Sequence, residues 1–396
     1  MPAYSGKFQY TGANGEDLGH GACQLSFDAE TAVVTPAGGL PVAFDLGDVD
    51  RTAPADWDLK LTLYTGASVT LQQFGAAFSD MSRELLAAWR DRTVRCLLLE
   101  DLEELGRFNG AANGGPGEIR IYKSNIAFLP QAGSPVQWRL AEVDSIAFDD
   151  ASYSIALTRG SGRLVLSKVA KKTDEVLQKL REAHGALREQ AARALHDVFP
   201  FLPPDALMRL QRIMPEGCSA SLAALNEIHP KLADTLIERA VDEHLKPYFD
   251  VLRSRATKDP LMAGFKFIRP GDDEGEDPPE EGKMPLFFWF FFPLPNGTAA
   301  WEATTGTGRA TYIFKTLAPI AETVETLTRG LALVNFRREP VYLSDDALDR
   351  QPRFHRYAIG ARKLPELRAL RQAYIGRAIH SSPEEWEKQI SAVGQS

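Results

Sequence analysis

The sequence predicts an α+β protein: two tandem small β-barrels, a helical middle region and an α+β C-terminal domain. Three observations lead there. An internal repeat fills the first half, and within each copy period-two alternation gives way to helical spacing. Near the C-terminal third an unbroken aromatic run is tied by a turn signal to a second extended segment.

The repeat is gapped but runs through the whole unit. Gly6-Lys7-Phe8 is echoed by Gly106-Arg107-Phe108, and Ala13-Asn14-Gly15 by Ala112-Asn113-Gly114. The stretch Pro41 to Asp50 aligns with Pro135 to Asp144, 94 residues on. At that offset Leu59, Leu61, Leu63 and Gly66 meet Tyr153, Ile155, Leu157 and Gly160.

Each copy begins with short segments whose apolar residues alternate. In the first these are Cys23, Leu25, Phe27; Val42, Phe44, Leu46; Leu59, Leu61, Leu63; and Val69, Leu71. In the second they are Ile119, Ile121; Ile126, Phe128; Trp138, Leu140; Ile155, Leu157; and Leu164, Leu166. Alternation puts these side chains on one face of half-buried strands. Turns are expected at Thr65-Gly66-Ala67-Ser68 and Arg159-Gly160-Ser161-Gly162. The period then lengthens: Phe78, Met81, Leu85, Leu86 and Trp89, and later Val176, Leu177 and Leu180, recur at helical spacing.

A meander of six or seven strands closed by one amphipathic helix resembles the bacterial pleckstrin-homology-like domain, over about residues 1–195. The resemblance implies domains at 1–103 and 104–190, and a small β-barrel of another type is the alternative. A basic first hairpin would suit a lipid headgroup. The first copy has Asp28-Ala29-Glu30 there, which repels phosphate; the second offers Arg120 and Lys123.

Residues 191–257 form the helical region, punctuated by Pro200, Pro203-Pro204, Pro215 and Pro230, because proline cannot continue a helix interior. Ser219 or Ser221 is a start signal for one of these helices. The α+β domain then spans 258–396. It holds expected strands at Phe265–Ile268, Leu286–Phe292, Ala299–Thr304 and Ala310–Phe314, and a further one at Pro340–Leu343. Helices are expected near 318–334 and 363–379. Asn296-Gly297 is a hairpin signal. The acidic stretch 272–281 reads as a loop. The run from Leu286 to Leu294 is about half the length needed to cross a bilayer, so it reads as a strand buried on both faces, with a membrane-inserting loop as the alternative.

Composition narrows the function classes. With 53 acidic against 45 basic residues the net charge of −8 disfavours general binding to nucleic acid. Cys23, Cys96 and Cys218 are widely spaced and odd in number, which fits a reducing, cytoplasmic setting and no disulfide framework. The N-terminus reads as lacking a signal peptide.

No catalytic, cofactor or metal constellation emerges. The seven histidines lack His-Glu-x-x-His spacing, and Gly217-Cys218-Ser219 has no local partner to activate a nucleophile. Thr305-Gly306-Thr307-Gly308-Arg309 lacks the phosphate-loop lysine and leads into a strand, so it reads as a turn. The residues singled out for contact with an anion or partner are Arg120, Lys123, Arg309, Arg353 and Arg356, the last two within a basic stretch interleaved with aromatics. The expected function is a non-enzymatic intracellular scaffold or adaptor that binds a protein or peptide through its tandem modules. The alternatives are association with a membrane surface or anionic lipid, and an enzyme with its site in residues 258–396.

Overall fold

A computed structural model describes residues 3–97, 103–131, 135–268, 286–304, 309–316 and 318–393. The chain divides into two compact units. One comprises Met1–Arg139, Ser145–Arg181 and Asp345–Leu364; the other comprises Leu140–Asp144, Glu182–Ser344 and Pro365–Ser396.

The first unit opens with β1 (Ala3–Thr11), β2 (Asp17–Phe27), β3 (Thr31–Pro36) and β4 (Val42–Asp45). A 3-10 turn at Leu46–Asp48 leads to β5 (Val49–Pro54), β6 (Asp58–Leu63), β7 (Ser68–Gln72) and the closing helix α1 (Phe78–Leu97). The sheet order is β4-β3-β2-β1-β7-β6-β5, antiparallel throughout. The central strand β1 sets Phe8 opposite Gly21 on β2 and Leu71 on β7. The alternating residues face inward as expected: Leu25, Leu46, Leu59, Val69 and Leu71 are fully buried, in one core with Met81, Leu85 and Trp89 of α1.

The second copy follows with β8 (Glu104–Ala112), β9 (Gly115–Tyr122), β10 (Asn125–Pro130), β11 (Val136–Arg139), a 3-10 turn at Leu140–Glu142, β12 (Ser145–Asp149), β13 (Ser154–Arg159), β14 (Gly162–Ser167) and α2 (Thr173–Val198). Its order, β11-β10-β9-β8-β14-β13-β12, is that of the first copy. The two 3-10 turns lie 94 residues apart, and the closing helices start 95 apart. Gly15 and Gly114, in the matching β1–β2 and β8–β9 turns, have φ of +85° and +89°, the left-handed region that explains glycine at both. These are the first hairpins, so Asp28-Ala29-Glu30 lies in the second, between β2 and β3, and Arg120 and Lys123 lie on β9 and in the β9–β10 turn, a correction to the expected placement.

Next come α3 (Pro204–Ile213), β15 (Ser219–Ser221), α4 (Leu222–Ile228), α5 (Leu232–Ala240), α6 (Lys246–Arg255), β16 (Met262–Phe267), β17 (Leu286–Leu294), β18 (Thr298–Ala303) and β19 (Ala310–Lys315). The chain ends with α7 (Ile320–Leu333), α8 (Glu339–Tyr342), α9 (Asp345–Arg350), α10 (His355–Lys363), α11 (Pro365–Ala373), β20 (Tyr374–Ile379) and α12 (Pro383–Val393). Strands β15 to β20 form one antiparallel sheet in sequence order. Ser221 caps α4, its Oγ accepting the amide of Ala224 at 3.0 Å.

The aromatic strand is central and covered on both faces. Phe288, Phe290 and Phe292 enter one core with Phe249, Leu210, Leu236 and Trp386. Phe249 meets Phe290 and Phe292 edge-on at 5.0 and 5.1 Å. On the other face Trp289 lies 4.2 Å from Phe336 and donates its indole N–H to Ser219 Oγ at 2.9 Å. Trp289 also explains Gly264 opposite it, where a Cβ would come within 2.4 Å of the indole.

Two expectations are corrected. Residues 340–343 belong to the short helix α8 rather than a strand: Pro340 sits in its first turn, where a missing amide costs nothing. The helix expected over 363–379 is divided. Pro365 restarts it as α11, and from Tyr374 the chain is the edge strand β20, pairing Ala310 with Ile379. The acidic stretch 272–281 and the Thr305–Gly308 motif lie outside the described residues. Among the described residues no helix is long and apolar enough to cross a membrane.

Candidate functional site

The five singled-out cations do not converge. Arg120 is 3% exposed, its Nε 2.5 Å from Glu118 and its Nη1 2.7 Å from Asp91. Lys123 pairs with Glu103 at 2.6 Å. Arg309 pairs with Asp242 at 3.0 Å. Arg353 and Arg356 share one segment, each lying over the ring that follows it, Phe354 at 4.4 Å and Tyr357 at 5.2 Å. The neutralisation of Arg120 had a sequence signal: Glu118 is two residues away, on the same face of a strand.

A different locus stands out where the 3-10 turn of the first sheet meets α1. Asp45 accepts the amide of Gly47 at 2.7 Å and a two-pronged contact from Arg92, at 2.9 Å from Nε and 2.6 Å from Nη2. Arg92 also reaches Glu30 at 2.9 Å. Helix α10 lies against this turn. Arg362 Nη1 donates to Asp48 Oδ1 at 2.7 Å, and Lys363 Nζ donates to the carbonyl of Val49 at 2.8 Å. Ile359 packs on Gly47, where a Cβ would come within 2.9 Å of it. His355 stands 3.5 Å from Asp45 and from Asp349. Burial pushes the Asp48 carboxyl up, with Arg362 opposing, and pushes the Lys363 ammonium down. Burial also raises the Cys96 thiol to about 12, so no nucleophilic thiolate forms near neutral pH. The chemistry of this locus is the clamping of a helix.

The second copy builds the same corner differently. In the first, Trp89 Nε1 donates to the carbonyl of Val49 at 3.1 Å. In the second, His184 Nε2 bonds the carbonyl of Val143 at 2.9 Å. Because that carbonyl only accepts, Nε2 carries the proton and Nδ1 is left as an acceptor. Burial lowers the His184 pKa, keeping the ring neutral. Beside it is a cleft of about 290 Å3. Val143, Leu187, Ala191 and Pro215 form its apolar wall, and Arg188 and Arg212 are exposed at its lining.

An acid–base pair lies in the interior of the second unit. Glu302 on β18 accepts a hydrogen bond from Thr311 and faces His380 Nε2 at 3.3 Å. Tyr248 stacks on the imidazole at 4.1 Å, and Trp386 Nε1 donates to Thr311 at 2.9 Å. Both acid and base are closed off, with side chains 1% and 4% exposed. Glu302 Oε1 and His380 Nδ1 have no hydrogen-bond partner among the described residues. No three His, Cys, Asp or Glu side chains among those residues are grouped to hold a metal. Compared with known proteins, the chain matches no family model and no curated protein.

Proposed function

We propose that the protein is a non-enzymatic intracellular scaffold or adaptor that binds a protein or peptide partner, and that its two barrels are pleckstrin-homology-like. The carrying observation is the clamp of the first barrel. Its 3-10 turn and α1 already seat a helix, through Arg362 on Asp48, Lys363 on the Val49 carbonyl and Ile359 on Gly47. The seven-strand order with one closing helix, repeated in both copies, supports the family reading. Trp57 and Leu40 are 63% and 87% exposed, and apolar side chains of this size at a surface are what partners bury. A lipid headgroup is less well served, since Arg120 and Lys123 are engaged by carboxylates. The enzymatic alternative narrows to Glu302 and His380, both closed off.

The test is photo-crosslinking in the native host, with a benzophenone side chain at position 57 or 40 of the full-length chain. A discrete protein adduct, competed by untagged protein, supports the proposal. Absence of any adduct at either position, or sedimentation of the purified chain with phosphoinositide vesicles, overturns it.

A further inference from the structure

We infer that the cleft beside His184 is a binding site for a small planar aromatic anion, a ring system of about indole size carrying a carboxylate. The argument starts from the duplication. Counted from the starts of the two closing helices, Trp89, Arg92 and Cys96 of α1 correspond to His184, Leu187 and Ala191 of α2. Spacings of three, four and seven place each set on one helical face. In the first copy that face is filled. Trp89 is 1% exposed, Arg92 is locked onto Asp45 and Glu30, and Cys96 is fully buried. In the second copy every one of the three positions has lost volume or charge: indole to imidazole, guanidinium to isobutyl, thiol to methyl. All three replacements line the cleft.

The backbone anchor is unchanged while the filling is gone. Val143 keeps the hydrogen bond that Val49 has, from a ring N–H at 2.9 instead of 3.1 Å. The imidazole makes it without the six-membered ring that the indole adds. What remains is a space walled by Val143, Leu187, Ala191 and Pro215, suited to a flat apolar ring. His184 Nδ1, an acceptor, suits a ring N–H on the ligand.

The charge of the ligand follows from the rim. Arg188 and Arg212 are exposed, and neither guanidinium is paired with a carboxylate among the described residues. The two carboxylates of the lining are already engaged: Asp144 and Glu216 both have protein partners, Glu216 accepting the amide of Phe267 at 3.4 Å. An anionic group on the ligand would therefore meet unpaired guanidinium, the geometry that favours charge-assisted hydrogen bonds to a carboxylate.

The experiment is ligand-observed NMR titration of the full-length chain with indole-3-carboxylate, and with indole as the uncharged control. Saturable binding tighter than about 1 mM is expected, and about tenfold weaker binding of indole. Arg212→Gln should weaken indole-3-carboxylate by about tenfold and leave indole unchanged. His184→Trp should restore the filled corner of the first copy and abolish binding of both probes. If that variant does not fold, Ala191→Leu fills the cleft from the next turn and carries the same expectation. No saturable binding of either probe, or binding that survives cleft filling, overturns the inference.

Discussion

Replacing Trp89 tests how the duplicated corner is built. The indole is 1% exposed and packed in the core of the first copy, and its N–H meets the Val49 carbonyl at 3.1 Å. Trp89→Ala removes the ring and leaves a cavity, a change that costs about 3–5 kcal/mol. Trp89→His removes the benzo ring but keeps a donor where His184 has one in the second copy. The retained bond is worth about 1 kcal/mol, so the histidine variant should lose about that much less than the alanine variant. The Val49 carbonyl also accepts from Lys363 at 2.8 Å, so it keeps a partner in either variant and adds no further penalty. Urea unfolding followed by hydrogen exchange at α1 amides would report the loss within the first unit. Equal losses for the two variants, or a loss below about 1 kcal/mol for alanine, would refute this account of the corner.

Two further outcomes are expected. Phe290→Ala should destabilise the second unit by about 3–5 kcal/mol, because the ring is fully buried against Phe249; urea denaturation of the full-length chain, with amide exchange of β17, measures it. Cys96 gives an alkaline signature: its folded pKa, raised by burial to about 12, lies above the ordinary 9 of an unfolded thiol. Its stabilising contribution is thus complete below pH 9 and is lost as pH rises toward 12, at about 1.4 kcal/mol per pH unit, so Cys96→Ala should show a shallower fall in stability than wild type across that window.

Much of the first unit was legible in the sequence because its signals are local. Alternation at Leu59, Leu61 and Leu63 depends only on which face of a strand meets the core, and all three are buried. The aromatic strand was legible for the complementary reason, since apolar residues at every position leave no face for water. What stayed hidden is non-local. Nothing near Asp48 announces that Arg362 will bond it, and the grouping of 345–364 with the first unit depends on such contacts. The correspondence of Trp89 with His184 was hidden differently. The residue types diverge and the offset slips from 94 in the strands to 95 in the helices, so the shared hydrogen bond to a carbonyl reveals the match. Helix α8 misled because Val341 and Tyr342 have strand-like chemistry, while Pro340 in the first turn decides the short helix.

The clamp on α10 also has a consequence for biosynthesis. Asp48 and Arg362 are 314 residues apart. At ribosomal rates of about 5–20 residues per second, about 15–60 s separate the emergence of the socket from that of its plug. Until Arg362 emerges, the Asp48 carboxylate lacks that partner, while the Val49 carbonyl is held by the Trp89 indole alone. The Asp48–Arg362 bond therefore forms only once residue 362 has emerged, whatever its strength at equilibrium.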